Sequence, residues 1–196
     1  MLSTSLPLIL ASCSSYRQRL LATLMLPFTV VSPNCDETAL AQENAAATAQ
    51  RLARLKALSV QQQFPRALII GADQVAELGQ QQLGKPGNYQ RAYQQLQQMR
   101  AQTVTFHSGL CLYNSHTKHC QCCVVPYQVT MRHYSDAEIS AYLQKEAAYD
   151  CVGSARIEQL GISLVASMHG SDPNALIGLP LIALLTMLRQ EGVSPL

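Results

Sequence analysis

Short apolar runs alternate along this chain with longer stretches of helical period, and the runs stop at polar residues. Leu8–Ala11, Phe28–Val31 and residues 67–70 are each four residues long and almost wholly apolar or β-branched. Runs of that length, bounded by turn residues, read as buried strands. Residues 16–26 follow the first run and read as a helix. Residues 39–62 follow the second. They are rich in Ala and Leu, with Leu52, Leu55 and Leu58 at near-helical spacing, and read as a long helix with Lys56 near its middle. The third run ends in Gly71-Ala72-Asp73-Gln74. Such alternation specifies an α/β fold.

Beyond Gly84-Lys85-Pro86-Gly87, a turn, the pattern changes. Asn88 caps a helix carrying Ala92, Tyr93, Leu96 and Met99. Residues 103–113 and 123–133 read as two strands joined by a polar hairpin tip. Ser135-Asp136-Ala137-Glu138 is a capping box, opening a helix to about Glu146. A strand is expected over residues 161–165. A closing helix is expected over residues 180–190, with Gly192 as its stop. No internal repeat or linker-like segment interrupts the chain. The expectation is one domain over residues 1–196, an α/β fold with a mixed central sheet flanked by helices.

The front of the chain admits two incompatible readings. Leu10-Ala11-Ser12-Cys13 has the form of a lipoprotein cleavage box, in which the Cys would be lipidated. A signal peptide, however, needs a basic start and an apolar stretch of about 7–15 residues. Residues 1–5 contain no Lys or Arg, and Pro7 interrupts an apolar run that stops at Ala11. The expected reading is strand, polar turn and helix. No apolar run approaches the roughly 20 residues of a membrane span. The most apolar stretch, residues 175–188, contains Gly178 and Pro180. A cytoplasmic protein with no membrane partner is expected. A net charge of +2 is too small for a general binder of nucleic-acid polymers. Seven Cys without framework spacing are expected to be reduced and mostly buried.

Open α/β sheets bind ligands beyond the carboxyl ends of their strands. Ser12 and Arg17 follow the first strand, Glu37 follows the second within Cys35-Asp36-Glu37-Thr38, and Asp73 and Gln74 follow the third. Lys56 and Lys85 are further cations that folding can bring nearby. Two carboxylates among several cations suit a metal-bound polyphosphate. Mg²⁺ takes one or two carboxylates plus phosphate oxygens, Arg and Lys take the remaining phosphate charge, and N–H groups at a helix start add donors. An Arg in a first helical turn opposes the helix dipole, which points to another use for Arg17. Taken singly, each of these residues also reads as a solvated surface or turn group.

Together the motifs resemble the Maf family of nucleotide pyrophosphatases over nearly the whole chain. The matching pieces are Leu8–Ala11 and Ser12 with Arg17 and Leu20-Leu21; Asp36-Glu37-Thr38; Leu52-Ala53 with Lys56-Ala57; Ile70-Gly71-Ala72-Asp73-Gln74-Val75; Gly84-Lys85-Pro86; and Gly178-Leu179-Pro180-Leu181. The likeness extends to the bacterial subgroup acting on 7-methyl-GTP through Gly153-Ser154 with Glu158, Asp172-Pro173-Asn174 and Arg189-Gln190-Glu191-Gly192. The resemblance implies a Maf/ITPase-like fold with a cleft between two lobes, and a homodimer. It implies a house-cleaning reaction in which water attacks the α-phosphorus of a nucleoside triphosphate, giving the monophosphate and pyrophosphate. A divalent cation, Mg²⁺ or Mn²⁺, neutralises the phosphates. Asp73 takes the position of the proton acceptor and Glu37 that of a second essential acid. Either carboxylate can hold the metal, and whether Asp73 acts as base or ligand stays open. Ser12, Arg17, Lys56 and Lys85 take phosphate-binding positions.

Tyr16, Gln74 and Glu158 resemble the family's specificity positions. A 7-methylguanine ring is cationic, so an aromatic face suits it by about 0.5–2 kcal/mol, and a carboxylate can accept from its N1–H and amine. Three departures from the family pattern bear on substrate preference. Ser15 stands where Pro is usual, Gln18 where a second Arg is common, and Tyr16 where the subgroup has Trp. The alternatives are a pyrophosphatase for UTP, dTTP or CTP, and a nucleotide-binding regulator of septum formation without turnover. The intact set of Glu37, Asp73, Lys56 and Lys85 favours turnover.

One further segment invites a metal reading. Residues 116–123 hold five potential ligands: His116, His119, Cys120, Cys122 and Cys123. Structural zinc sites take paired ligands from separated knuckles, and this segment lies at a hairpin tip, so zinc is not expected. A strand beginning near Cys120 would put Cys120 and Cys122 on one face and Cys123 on the other.

Overall fold

A computed structural model describes residues 6–38 and 40–196. It has a mixed seven-stranded sheet flanked by helices, in the strand order β2-β1-β3-β5-β6-β7, with β4 pairing β3. The elements are β1 (Leu8–Ala11), α1 (Ser15–Ala22), β2 (Phe28–Val31), α2 (Ala45–Ser59), β3 (Leu68–Leu78), β4 (Gln81–Leu83), α3 (Tyr89–Met99), β5 (Thr103–Asn114), β6 (His119–Met131), α4 (Asp136–Lys145), β7 (Val165–Gly170), α5 (Pro173–Ile177) and α6 (Leu181–Gln190). Among the described residues no helix is long and apolar enough to cross a membrane.

The chain forms two compact units. The first comprises residues 1–74, 108–125 and 172–196. In it β1 pairs in parallel with β2 on one side and β3 on the other, Leu8–Ala11 lying opposite Phe28–Val31 and opposite residues 68–71. Side chains alternate across the strands. Leu8, Leu10, Leu68, Ile70 and Ala72 point to one face, where they pack with Leu21 of α1 and with Leu181, Leu184 and Leu188 of α6. Ile9, Ala11, Ile69 and Cys111 point to the other, against Ala53 and Ala57 of α2.

The second unit comprises residues 75–107 and 126–171. There the end of β3 pairs antiparallel with β4, and β6 pairs antiparallel with β7. Asn88 caps α3 by accepting from the Arg91 amide, as expected. The capping box of α4 is complete in both directions, from Ser135 and from Glu138. The buried hydroxyl of Tyr134 donates to the Leu96 carbonyl at 2.7 Å.

Three expectations need correction. The long helix starts at Ala45, because Asn44 caps it by accepting from Ala47 N at 2.8 Å. Its expected start at Ala39 lies outside the described residues. Residues 160–164 form a 3-10 turn, and the strand begins at Val165. The cause is a close turn at Gly161, where any Cβ would sit 2.5 Å from the Arg156 carbonyl. Of the seven free cysteines only Cys111 is fully buried.

Candidate active site

Asp73 and Gln74 do not follow the third strand; they lie within it. β1 ends at Ala11 opposite Gly71, while β3 runs on to Leu78 and pairs β4 from Ala76. Asp73 therefore projects from β3 just past the carboxyl end of its parallel neighbour. The ligand-binding rule for strand ends thus applies to β1. Alternation then separates the two side chains. Asp73 falls on the α2 face with Ile69, and Gln74 on the opposite face with Ile70 and Ala72.

On the α2 face Asp73 meets Lys56. The buried ammonium lies 2.6 Å from Asp73 Oδ1 and 2.7 Å from Glu37 Oε2. The Asp73 side chain is 12% exposed and that of Glu37 52%. One cation is thus clasped by two carboxylates, one buried and one open to solvent. Removing a single partner from such a group strands a desolvated charge.

Small residues hold Lys56 there. A Cβ on Gly71 would lie 2.1 Å from Ala53 O and 2.6 Å from Ala57 N, and one on Gly109 2.2 Å from Ala49 O. The helix rests directly on bare backbone of β3 and β5. Its buried stripe is Ala45, Ala49, Ala53 and Ala57, with Leu52 and Lys56 beside it. Of the spaced leucines only Leu52 is buried; Leu55 and Leu58 are half-buried. The 36–38 loop is also tied to α2. Asp36 accepts from the Thr38 amide at 2.9 Å, Arg51 donates to the Thr38 carbonyl at 3.2 Å, and Arg51 pairs with Glu43 at 2.8 Å.

Arg17 supplies a second cation. Ser14 caps α1 by accepting from the Arg17 amide at 3.4 Å, and Ser12, buried directly after β1, accepts from the Ser14 amide at 3.2 Å. The Arg17 Nε donates to Gly178 O at 2.8 Å, and its Nη1 approaches Ser12 Oγ at 3.5 Å. Burial lowers the Arg17 pKa against the attraction of Asp73 and Glu37. Guanidinium nonetheless stays protonated, so a desolvated positive charge remains that an anion would stabilise. Gly178 makes this possible. It ends α5 with φ +104, and a Cβ there would lie 3.5 Å from both Nε and Nη2 of Arg17.

The other expected positions are arranged as follows. Gln74 Nε2 donates to the carbonyls of Ala175 and Leu176 at 2.9 Å and to Ser108 Oγ at 3.1 Å. Its amide binds α5 rather than the neighbourhood of Asp73. Tyr16 lies on α1 next to Arg17, and the Arg19 guanidinium sits 4.9 Å from its ring centroid. That face already accepts a cation. Lys85 and Glu158 belong to the second unit and are both exposed. The Lys85 turn is held by a hydrogen bond from Gly87 N to Tyr149 O at 2.9 Å. Glu158 lies between two 3-10 turns, at Val152–Ser154 and Leu160–Leu164.

Sequence reasoning missed the supports. Asp172 is buried and caps two helices at once, accepting from Asn174 N at 3.0 Å and from Ile182 N at 2.7 Å. Ser108 is fully buried and donates to Ala175 O at 2.6 Å. Asp172-Pro173 is a recognisable N-cap followed by Pro at the first helical position. No local signal marks Ser108.

Residues 7–191 match the family model for Maf-like protein. The chain belongs to the Maf family. It is 56% identical over 187 residues to a 7-methyl-GTP pyrophosphatase of Methylobacillus flagellatus, covering 95% of this chain and 97% of that one. It is 53% identical over 196 residues to a protein of the same name from Thiobacillus denitrificans, covering 100% and 98%. A third of that name, from Cupriavidus metallidurans, is 53% identical over 185 residues, covering 94% and 93%. Within this Maf chain the clustered residues of the first unit come from four separated stretches, joined by the parallel strands β1, β2 and β3.

Proposed function

We propose that this protein hydrolyses 7-methyl-GTP to its monophosphate and pyrophosphate, as a house-cleaning nucleotide pyrophosphatase in the cytoplasm. The observation that carries the reading is the buried Lys56 ammonium held between Asp73 and Glu37, in the same unit as the desolvated Arg17. Relatives at 53–56% identity bear that enzyme's name.

Phosphoryl transfer depends mostly on positioning and charge stabilisation. Arg17 and Lys56 supply fixed positive charge for the phosphates, with the Ser12 hydroxyl as a further donor. Asp73 is placed to accept the proton of the attacking water while Lys56 holds its carboxylate in one orientation. The phosphate-oxygen bond to the leaving pyrophosphate breaks as the water oxygen bonds to the α-phosphorus. Glu37 and Asp73, which both contact the Lys56 ammonium, are hard oxygen donors of the kind that suit Mg²⁺ or Mn²⁺. Bound there, such a cation would neutralise phosphate charge. Lys85 is assigned to the phosphates, and Tyr16, Gln74 and Glu158 to the base, on the family resemblance. A homodimer follows from the same source and is checked by light scattering.

Pyrophosphate release is measured with Mg²⁺ or Mn²⁺ from 7-methyl-GTP, GTP, UTP, CTP and dTTP. Release from 7-methyl-GTP above the others, abolished in Asp73→Asn, is expected. Preference for UTP, CTP or dTTP would keep the reaction and reject the substrate. Binding without release from any nucleotide would favour a regulator.

A further inference from the structure

Away from the Asp73 cluster, three thiols meet on the α2 side of the sheet. Cys111 comes from β5, and Cys120 and Cys122 from β6. Cys111 Sγ is 3.5 Å from Cys120 Sγ, which is 3.5 Å from Cys122 Sγ. All three sulfurs lie within 4.8 Å of one another. The residues brought together are not those that the sequence cluster presents. Cys123 points to the opposite face and packs with the α6 core, while His119 pairs with Glu191 at 2.9 Å. Cys111 is the member that only the fold supplies.

Ordinary core packing does not account for the grouping. Cys111 is fully buried, but Cys120 and Cys122 are half-buried and line a groove of about 770 Å³. Arg51, Arg54, Leu55 and Leu58 of α2 form the opposite wall. The thiols are free, so the groove offers Cys120 and Cys122 to a ligand from solution, with buried Cys111 in contact with Cys120.

The donor set selects the ligand. Sulfur alone is soft and rejects Mg²⁺ and Ca²⁺. Zinc in structural sites takes four ligands, and among the described residues the group contains only these three. A metal about 2.3 Å from each sulfur in a trigonal plane sets the sulfurs about 4 Å apart, so shifts of less than about 1 Å suffice. Three thiolates around a monovalent ion leave net negative charge, which Arg54 faces across the groove.

We propose that Cys111, Cys120 and Cys122 form a trigonal thiolate site for a soft monovalent d¹⁰ cation of the Cu(I) class. Binding displaces the thiol protons to solvent and requires no change in oxidation state.

The test is anaerobic titration of the fully reduced protein with Cu(I) held by a chromophoric chelator. Transfer of one equivalent per chain is expected, with ultraviolet thiolate-to-metal absorption. Cys120→Ser and Cys122→Ser should each weaken binding by more than the roughly 100-fold that loss of an outer-shell partner costs. Cys13→Ser/Cys123→Ser should retain binding in full. Circular dichroism and melting establish that each variant is folded. No transfer, or equal transfer to Cys122→Ser and the parent, would overturn the assignment. So would uptake of Zn²⁺ in place of Cu(I), or air oxidation of two of the trio to a disulfide in protein that takes up no Cu(I).

Discussion

Gly71→Ala tests how the fold positions Lys56. The new methyl would lie 2.1 Å from Ala53 O and 2.6 Å from Ala57 N, both backbone atoms of α2. No rotamer change relieves a backbone contact, so the helix must move out by about 1 Å to restore a tolerable separation. Overpacking of this kind destabilises by about 1–3 kcal/mol, and a backbone clash belongs at the upper end. About 3 kcal/mol in a chain of this size lowers Tm by roughly 6–12 °C. The same displacement draws the Lys56 ammonium from its 2.6 Å contact with Asp73. A misplacement of that size can lower turnover by about 100-fold. Thermal unfolding is compared with pyrophosphate release at a temperature where both proteins are folded. Gly84→Ala is the control, because its Cβ would meet nothing within 4 Å. A Gly71→Ala protein that melts within about 2 °C of its parent and turns over at the parental rate would refute the claim that bare backbone seats α2.

Lys56→Met leaves Asp73 buried without its cation and should destabilise by about 3 kcal/mol. Lys56→Met/Asp73→Asn should recover most of that stability in denaturant unfolding and none of the activity, a coupling that independent sites would not show. Gly178→Ala forces a side chain into φ +104 beside Arg17. It should destabilise by about 1–2 kcal/mol and raise KM for the nucleotide. An unchanged KM would remove Gly178 from the placement of Arg17. Glu138 is held at a pKa of about 2 by the Ser135 amide first, then by Arg132 and the Ser135 hydroxyl. Its folded-state pKa is depressed, so its stabilisation is present above the ordinary carboxylate value of about 4.3 and fades as pH falls towards 2. The Tm difference between the parent and Glu138→Ala should therefore narrow across that window. A difference independent of pH would refute the role.

The first two strands and the caps of α3 and α4 were legible because each is a local signal. Four-residue apolar runs, Asn88 before a helical stretch and Ser135-Asp136-Ala137-Glu138 are set by neighbours in sequence. The buried face of α2 is not legible from its leucines. Leucine spacing is a sound guide where a helix packs on side chains, but here it packs on Gly71 and Gly109. Close approach excludes large residues, so the buried stripe is alanine. The run of potential ligands at residues 116–123, where zinc was not expected, shows the same limit. Residues 116–123 are adjacent in the chain, but alternation sends Cys123 away and strand pairing brings in Cys111.

The site itself turns on parity along β3. Residues 67–70 mark the strand but not its length, because its extension rests on partners distant in sequence or without an apolar signature, β5 beside it and the three-residue β4 at its end. Once β3 continues past Gly71, positions 73 and 74 must face opposite sides. Asp73 then meets the ammonium of α2, and Gln74 the open carbonyls of α5. The resemblance placed both residues beside the substrate, whereas the geometry gives them distinct tasks. Asp73 is held in place by the Lys56 ammonium. Gln74 anchors Ala175 and Leu176, within three residues of the Gly178 carbonyl that fixes Arg17. A change at Gln74 would thus act on the phosphates through Arg17, even though its side chain lies across the sheet from Asp73.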